Sequence, residues 1–500
     1  MATRSPSAYQ MVLFQLVFGL ALLLLMVYGL RSLMFGGKMA IGVIAGTIAY
    51  VATVLALDDK YWLFPVFCFG FRFGFPYIKF TGYELGALVL VPTFFVRQAL
   101  HRDDAVSGNK ALVWAAIPFL AWMCLVWGMH PTGMFIFGSS KLGGRFYFKV
   151  ILAFLSLVCL SSMKFGEKDA KRAVIAFLCG HLAYTTLRVA TFQAPDAEEG
   201  LASTHYKFAY LGYVAAWFLA RYSAPSLLSR FWPLTGFLLT FGLTTYSGNR
   251  HMFGLVCLIG IMAPVVFRRE RVKTAAMVLL AAMAMGIMVT GHGRIWHLPY
   301  SVQRSLSFLP GKWDRRLEQF GFHDMFRAEL RHLAKQHIRE NPWFGDGGFS
   351  LDLTDMVWYD SENSRSGSNI AAMAYGRNWH NVWYGMAADF GIPLSVAWAF
   401  FMALLILHGR GAAAKFTPGS WSETAAGYFY LLVLAEFANF FFNGGHSAKT
   451  PEMLFVFSGL LLAVENGVAD MSRWRQIPMR KAGLIASTPL VLDRKGLPAR

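Results

Sequence analysis

Runs of about 18–20 apolar residues recur along almost the whole of this chain. A helix of that length crosses a bilayer. Inside hydrocarbon every backbone N–H and C=O has to be satisfied within the structure, so only helices and closed barrels can span it. The runs here are continuous rather than alternating, which excludes a barrel. Charge agrees: 15% of the 500 residues are charged, against about a quarter in soluble chains. The expected fold is an all-α polytopic membrane protein, residues 1–500 forming a single integral membrane domain.

The net charge is +18, and the excess sits in short loops, as the positive-inside rule requires of cytoplasmic segments. Those loops are Lys164–Arg172, Arg221–Arg230, Arg268–Lys273 and Arg410–Lys415, with a basic tail over 467–500. Placing them in the cytoplasm predicts spans at about 112–128, 145–162, 173–190, 207–222, 231–246, 251–267 and 275–291, then 381–407, 424–443 and 452–466. Further runs fall at 11–30, 39–56 and 83–97, for roughly twelve to fourteen spans with both termini cytoplasmic. Met11–Leu30 is too long for a cleaved signal and reads as a helix that stays. The segment FCFGFRFGFPYIKF (67–80), interrupted by Arg72, is a tilted span or a re-entrant piece. The five cysteines all lie in apolar runs, where they read as small buried hydrophobes rather than disulfides or zinc ligands.

Residues 292–380 break the pattern. This long polar loop falls on the non-cytoplasmic side and holds six of the 13 histidines. Its eleven Lys/Arg are balanced by ten Asp/Glu. FHDMFRAELRHLAKQHIRE (322–340) spaces its apolar residues as an amphipathic helix, lying over the bundle mouth or packed on its neighbours. NPWFGDGG (341–348) follows; Pro342 stops a helix and the glycines allow a tight turn.

Three polar clusters face that same side. In YGRNWHN (375–381), His380 is the candidate for proton transfer, Arg377 for anion binding, and Asn381 for orienting a ring nitrogen or a sugar hydroxyl. Trp379, Trp383 and Tyr384 also suit a plain interfacial belt. In TYSGNRH (245–251), Arg250 and His251 interrupt apolar sequence; a guanidinium fork suits phosphate oxygens, although snorkelling at a helix end also explains it. In STHYK (203–207), His205 and Lys207 suit an anionic group or ordinary interfacial positions, and Arg188 stands late in the preceding span. Asp389 and Glu436 fall within spans and are expected to face the bundle interior, each paired with an arginine. P-loop, dinucleotide, HExxH and GxSxG signatures are absent, and no acidic cluster has clear metal spacing.

Over about residues 200–410 the order SGNRHMFG, RAELRHLAKQHIRENPWFGDGGF and WHNVWYGMAADFGIPLSVAWAF resembles the bacterial O-antigen ligase and O-antigen polymerase superfamily. The resemblance implies a GT-C-like helical glycosyltransferase of the inner membrane with its active site facing the periplasm. It implies an undecaprenyl-pyrophosphate-linked glycan as donor, lipid A–core or a growing chain as acceptor, and no cofactor, metal or nucleic acid. By motif it carries catalytic roles onto His380 and Arg250, with a further basic residue near the span at 207–222, where Lys207 and Arg188 stand. A flippase for lipid-linked sugars is the rival from another class; it would place polar groups at the midplane between repeats, whereas here they collect on one face.

Overall fold

The computed structural model describes residues 60–71, 81–100, 110–129, 144–191, 207–267, 271–314, 322–347, 381–442 and 451–467. The expected spans at 11–30 and 39–56, the tail beyond 467, and the candidates His205, Arg377 and His380 lie outside the described residues.

Among the described residues the chain is all helical, with no strand. In chain order the helices are α1 (Leu63–Gly70), α2 (Gly82–Leu100), α3 (Lys110–Met129), α4 (Gly144–Ser161), α5 (Glu167–Thr191), α6 (Leu211–Arg221), α7 (Ala224–Leu228), α8 (Phe231–Tyr246), α9 (Arg250–Phe267), α10 (Arg271–Gly291), α11 (Tyr300–Leu306), α12 (Phe322–Glu340), α13 (Val382–Phe390), α14 (Ile392–Gly409), α15 (Trp421–Phe442) and α16 (451–467). Among the described residues five segments are long and apolar enough to cross a membrane: Ala111–Met129, Glu167–Ala190, Arg250–Phe267, Val272–Gly291 and Ile392–Lys415. Their apolar side chains divide between an internal core and an outer surface. Trp398, Phe119, Phe455 and Phe177 are enclosed, while α10 turns Leu279, Leu280, Met283 and Ile287 outward. In a bilayer such a face meets acyl chains, so its exposure costs nothing there. Cys68 and Cys159 are buried, as the sequence suggests, but Cys124 and Cys179 sit on exposed helix faces.

One end of the bundle gathers basic segments. The Phe165 amide donates to the Ala463 carbonyl at 2.8 Å. Arg221 donates to the Gly419 carbonyl at 2.8 Å and lies over the Trp421 ring. Lys415 donates to Glu465 at 2.9 Å, and His408 pairs with the same carboxylate at 2.6 Å. Segments 164–172, 221–230 and 410–415 therefore share one end, the arrangement that charge asymmetry predicts.

Two expected spans take a different form, and the segment 67–80 is described only as far as Phe71. Leu63–Gly70 is eight residues, about 12 Å of helix, too short to cross alone. Gly82 lies against the Phe71 carbonyl, so α2 starts where α1 stops. Within the span expected at 207–222, bend and turn residues 208–210 separate a helical Lys207 from α6, which runs over Leu211–Arg221, eleven residues. The expected single span at 381–407 is broken at Gly391, whose φ of 86° no helix can contain; Pro393 then starts α14.

Candidate functional site

The end opposite the basic segments is built around residues 341–347. Asn341 to Gly347 fold as a turn closed by the Gly345 amide donating to the Asn341 carbonyl at 3.0 Å, with Gly345 and Gly347 at positive φ. The turn seats into the α13–α14 break. The Asp346 amide donates to the Ala388 carbonyl at 3.0 Å, and the Ile392 amide donates to the Pro342 carbonyl at 2.9 Å. Both glycines are required. A Cβ at Gly345 would lie 2.6 Å from the Ala388 carbonyl oxygen, and one at Gly391 would overlap the Trp343 carbonyl. Two neighbouring helices hold this body in place. Trp122 of α3 stacks on Phe344 at 5.3 Å and donates to the Phe390 carbonyl at 3.0 Å. Tyr147 of α4 donates to the Gly347 carbonyl at 3.3 Å.

The expected amphipathic helix is α12, over the residues its periodicity marks. It lies on α13, burying Leu330 and Ala334, with Leu333 and Ile338 against Tyr384 and Ala388. Asn381 has a local job: its side-chain oxygen accepts from the Tyr384 amide at 3.1 Å and caps α13. That oxygen thus serves a helix N-terminus.

Arg250 occupies the first position of α9, behind a cap in which Asn249 accepts from the Met252 amide at 3.2 Å. Its Nε donates to the Arg304 carbonyl at 2.9 Å, and Ser305 donates to the Thr245 carbonyl at 2.7 Å. The TYSGNRH turn is therefore clamped to α11, the first helix of the long loop. His251 is the next residue of α9 and half-buried. A helix N-terminus carries partial positive charge, and this one adds Arg250 and His251 where acids are the stabilising choice. The helix dipole and the Arg250 guanidinium together favour an anion. Arg188 donates through Nε to the Tyr184 hydroxyl at 2.9 Å. Tyr184 meets Tyr210 edge-on at 4.9 Å, three residues from Lys207, so the ends of α5 and the Lys207 segment converge.

Some polar groups escaped the sequence reading. Lys149 of α4 is buried between Glu84 and Glu452, 3.9 and 4.0 Å from their carboxylates. Glu84 also accepts from the Thr81 amide at 2.6 Å, which closes a capping box at the start of α2. A lysine inside FYFKVILAF was the available signal, because such a charge rarely faces lipid. His181 is enclosed as well, stacked on Tyr213 at 4.4 Å. Asp389 and Glu436 are buried, as expected for acids within spans. Among the described residues no group of three or more His, Cys, Asp or Glu side chains gathers as for a metal ion. Compared with models of known protein families and with curated proteins, this chain has no match.

Proposed function

We propose that this chain is a glycosyltransferase of the O-antigen ligase kind. It moves a glycan from undecaprenyl pyrophosphate to an acceptor sugar on lipid A–core, at the periplasmic face of a bacterial inner membrane. The observation that carries the reading is Arg250 at the start of α9, bound through Nε to Arg304 of the long loop at 2.9 Å. A pyrophosphate leaving group gathers negative charge as its bond to the sugar breaks, and fixed positive charge lowers that barrier without a metal. Arg250 supplies such charge beside a helix N-terminus, with Arg377 or Lys207 as its partner. His380 takes or orients the acceptor hydroxyl. It directly precedes the capped start of α13, the helix on which α12 and the 341–347 turn are mounted. A full bundle of twelve to fourteen spans, GT-C-like, and a role for the greasy helices in holding the polyprenyl tail belong to the same proposal. Polymerisation onto a growing chain uses the same residues with a different acceptor.

Transport of lipid-linked sugars is the second reading, and one observation favours it. A broken helix and a buried charge cluster inside the bundle, here α13–α14 at Gly391 and Glu84–Lys149–Glu452, are features of transporters. Reconstituted protein with an undecaprenyl-pyrophosphate oligosaccharide separates the two: covalent transfer supports the enzyme, and movement of intact donor between leaflets supports the transporter.

A further inference from the structure

The long loop holds a second imidazole with a built orientation. His337 stands in the last turn of α12. Its Nδ1 donates to Asp346 Oδ2 at 2.6 Å, and the other Asp346 oxygen accepts from Asn341 Nδ2 at 3.1 Å. The Asp346 amide is itself fixed to the Ala388 carbonyl at 3.0 Å, so the carboxylate is mounted on the backbone of α13. Side-chain exposure is 12% for Asp346 and 36% for His337. The carboxylate is thus sheltered while the ring reaches solvent. A carboxylate that holds Nδ1–H sets the tautomer, so Nε2 becomes the proton-accepting nitrogen.

We infer that His337, oriented by Asp346, is the base that accepts the proton of the acceptor-sugar hydroxyl. This inference rests on the glycosyl-transfer reading above. In the step, the hydroxyl oxygen bonds to the anomeric carbon of the donor and its proton passes to His337 Nε2. The bond from the anomeric carbon to the phosphate oxygen breaks, and its electron pair leaves on undecaprenyl pyrophosphate. The exposed ring then releases the proton to water. His380 keeps the task of orienting the hydroxyl, and Asp346 is a positioning residue.

The test uses the full chain in proteoliposomes with an undecaprenyl-pyrophosphate oligosaccharide and a core-lipid acceptor. His337→Ala is expected to lower transfer about 10²–10⁴-fold, the range for a lost general base, with donor binding unchanged. Added imidazole is expected to restore part of the rate, more so for the more basic substituted imidazoles. Asp346→Asn is expected to lose transfer about tenfold while its thermal midpoint holds. Transfer by His337→Ala within about threefold of the parent would overturn the inference. So would a loss that no imidazole relieves in protein of unchanged midpoint and donor binding. Should the alanine variant be unstable, His337→Gln replaces it; its amide keeps a bond to Asp346, and the same outcomes decide. A parent protein that transfers nothing defeats the glycosyl-transfer reading instead, before any variant is compared.

Discussion

The Ile392 amide donates to the Pro342 carbonyl at 2.9 Å, joining the end of the loop helix to the start of a membrane-spanning one. A helix stop and a helix break, far apart in sequence, are one object in the fold. Its parts are α12, the Asn341–Gly347 turn, α13 and the first turn of α14.

That object depends on two glycines. Gly345 and Gly391 have φ of 64° and 86°, and each backbone touches the other segment. Alanine at either position carries about 1–3 kcal/mol of backbone strain, before any clash is counted. Gly391→Ala is expected to lower the thermal midpoint in detergent and to expose the 341–347 turn to proteases. An unchanged midpoint and digestion pattern would contradict the interlock.

Asn381 separates a cap from a ligand. Asn381→Asp and Asn381→Ser keep an oxygen for the Tyr384 amide, and the account expects both to retain near-parent stability. Asn381→Ala is expected to cost about 1 kcal/mol, the worth of an N-cap. Chemical denaturation in mixed micelles measures these differences. Loss of stability in all three variants alike would argue against capping.

The reach of sequence reasoning follows from the range of each signal. Helix 322–340 was legible because its period and Pro342 are local. Asn381 before an apolar run is a capping signal as well as a candidate sugar contact, and the cap is what the fold displays. The break at Gly391 was masked by the prevailing apolarity of 382–407, although Gly391 and Pro393 both mark it. Lys149 with Glu84 and Glu452 was out of reach, since those residues come together only through packing of α2, α4 and α16. The His337–Asp346 pair needed the turn geometry between them.

Arg250 tests the shape of a cation as well as its charge. Lysine keeps the charge but loses the planar fork and the Nε–H that meets the Arg304 carbonyl. Arg250→Lys is expected to reduce glycan transfer by at least about tenfold, since bonds to charged groups are worth about 1.5–3 kcal/mol. Full transfer by this variant would remove Arg250 from its assigned role.

Lys149 is held among acids in a buried setting. Removing one partner of a buried ion pair costs about 3–5 kcal/mol, because the remaining charges lose their compensation. Lys149→Met is expected to lower the thermal midpoint strongly. Combining it with Glu84→Gln and Glu452→Gln is expected to recover much of the loss. A single variant as stable as the parent would show that the cluster is not coupled.

The most direct test of the central claim is glycan transfer by purified protein in proteoliposomes. The donor is an undecaprenyl-pyrophosphate oligosaccharide, core lipid is present or withheld, EDTA is present throughout, and products are read by gel mobility. The account predicts a shifted core-lipid band that appears only with core lipid and survives EDTA. Intact donor recovered from both leaflets, with no glycan joined to any acceptor, would contradict it.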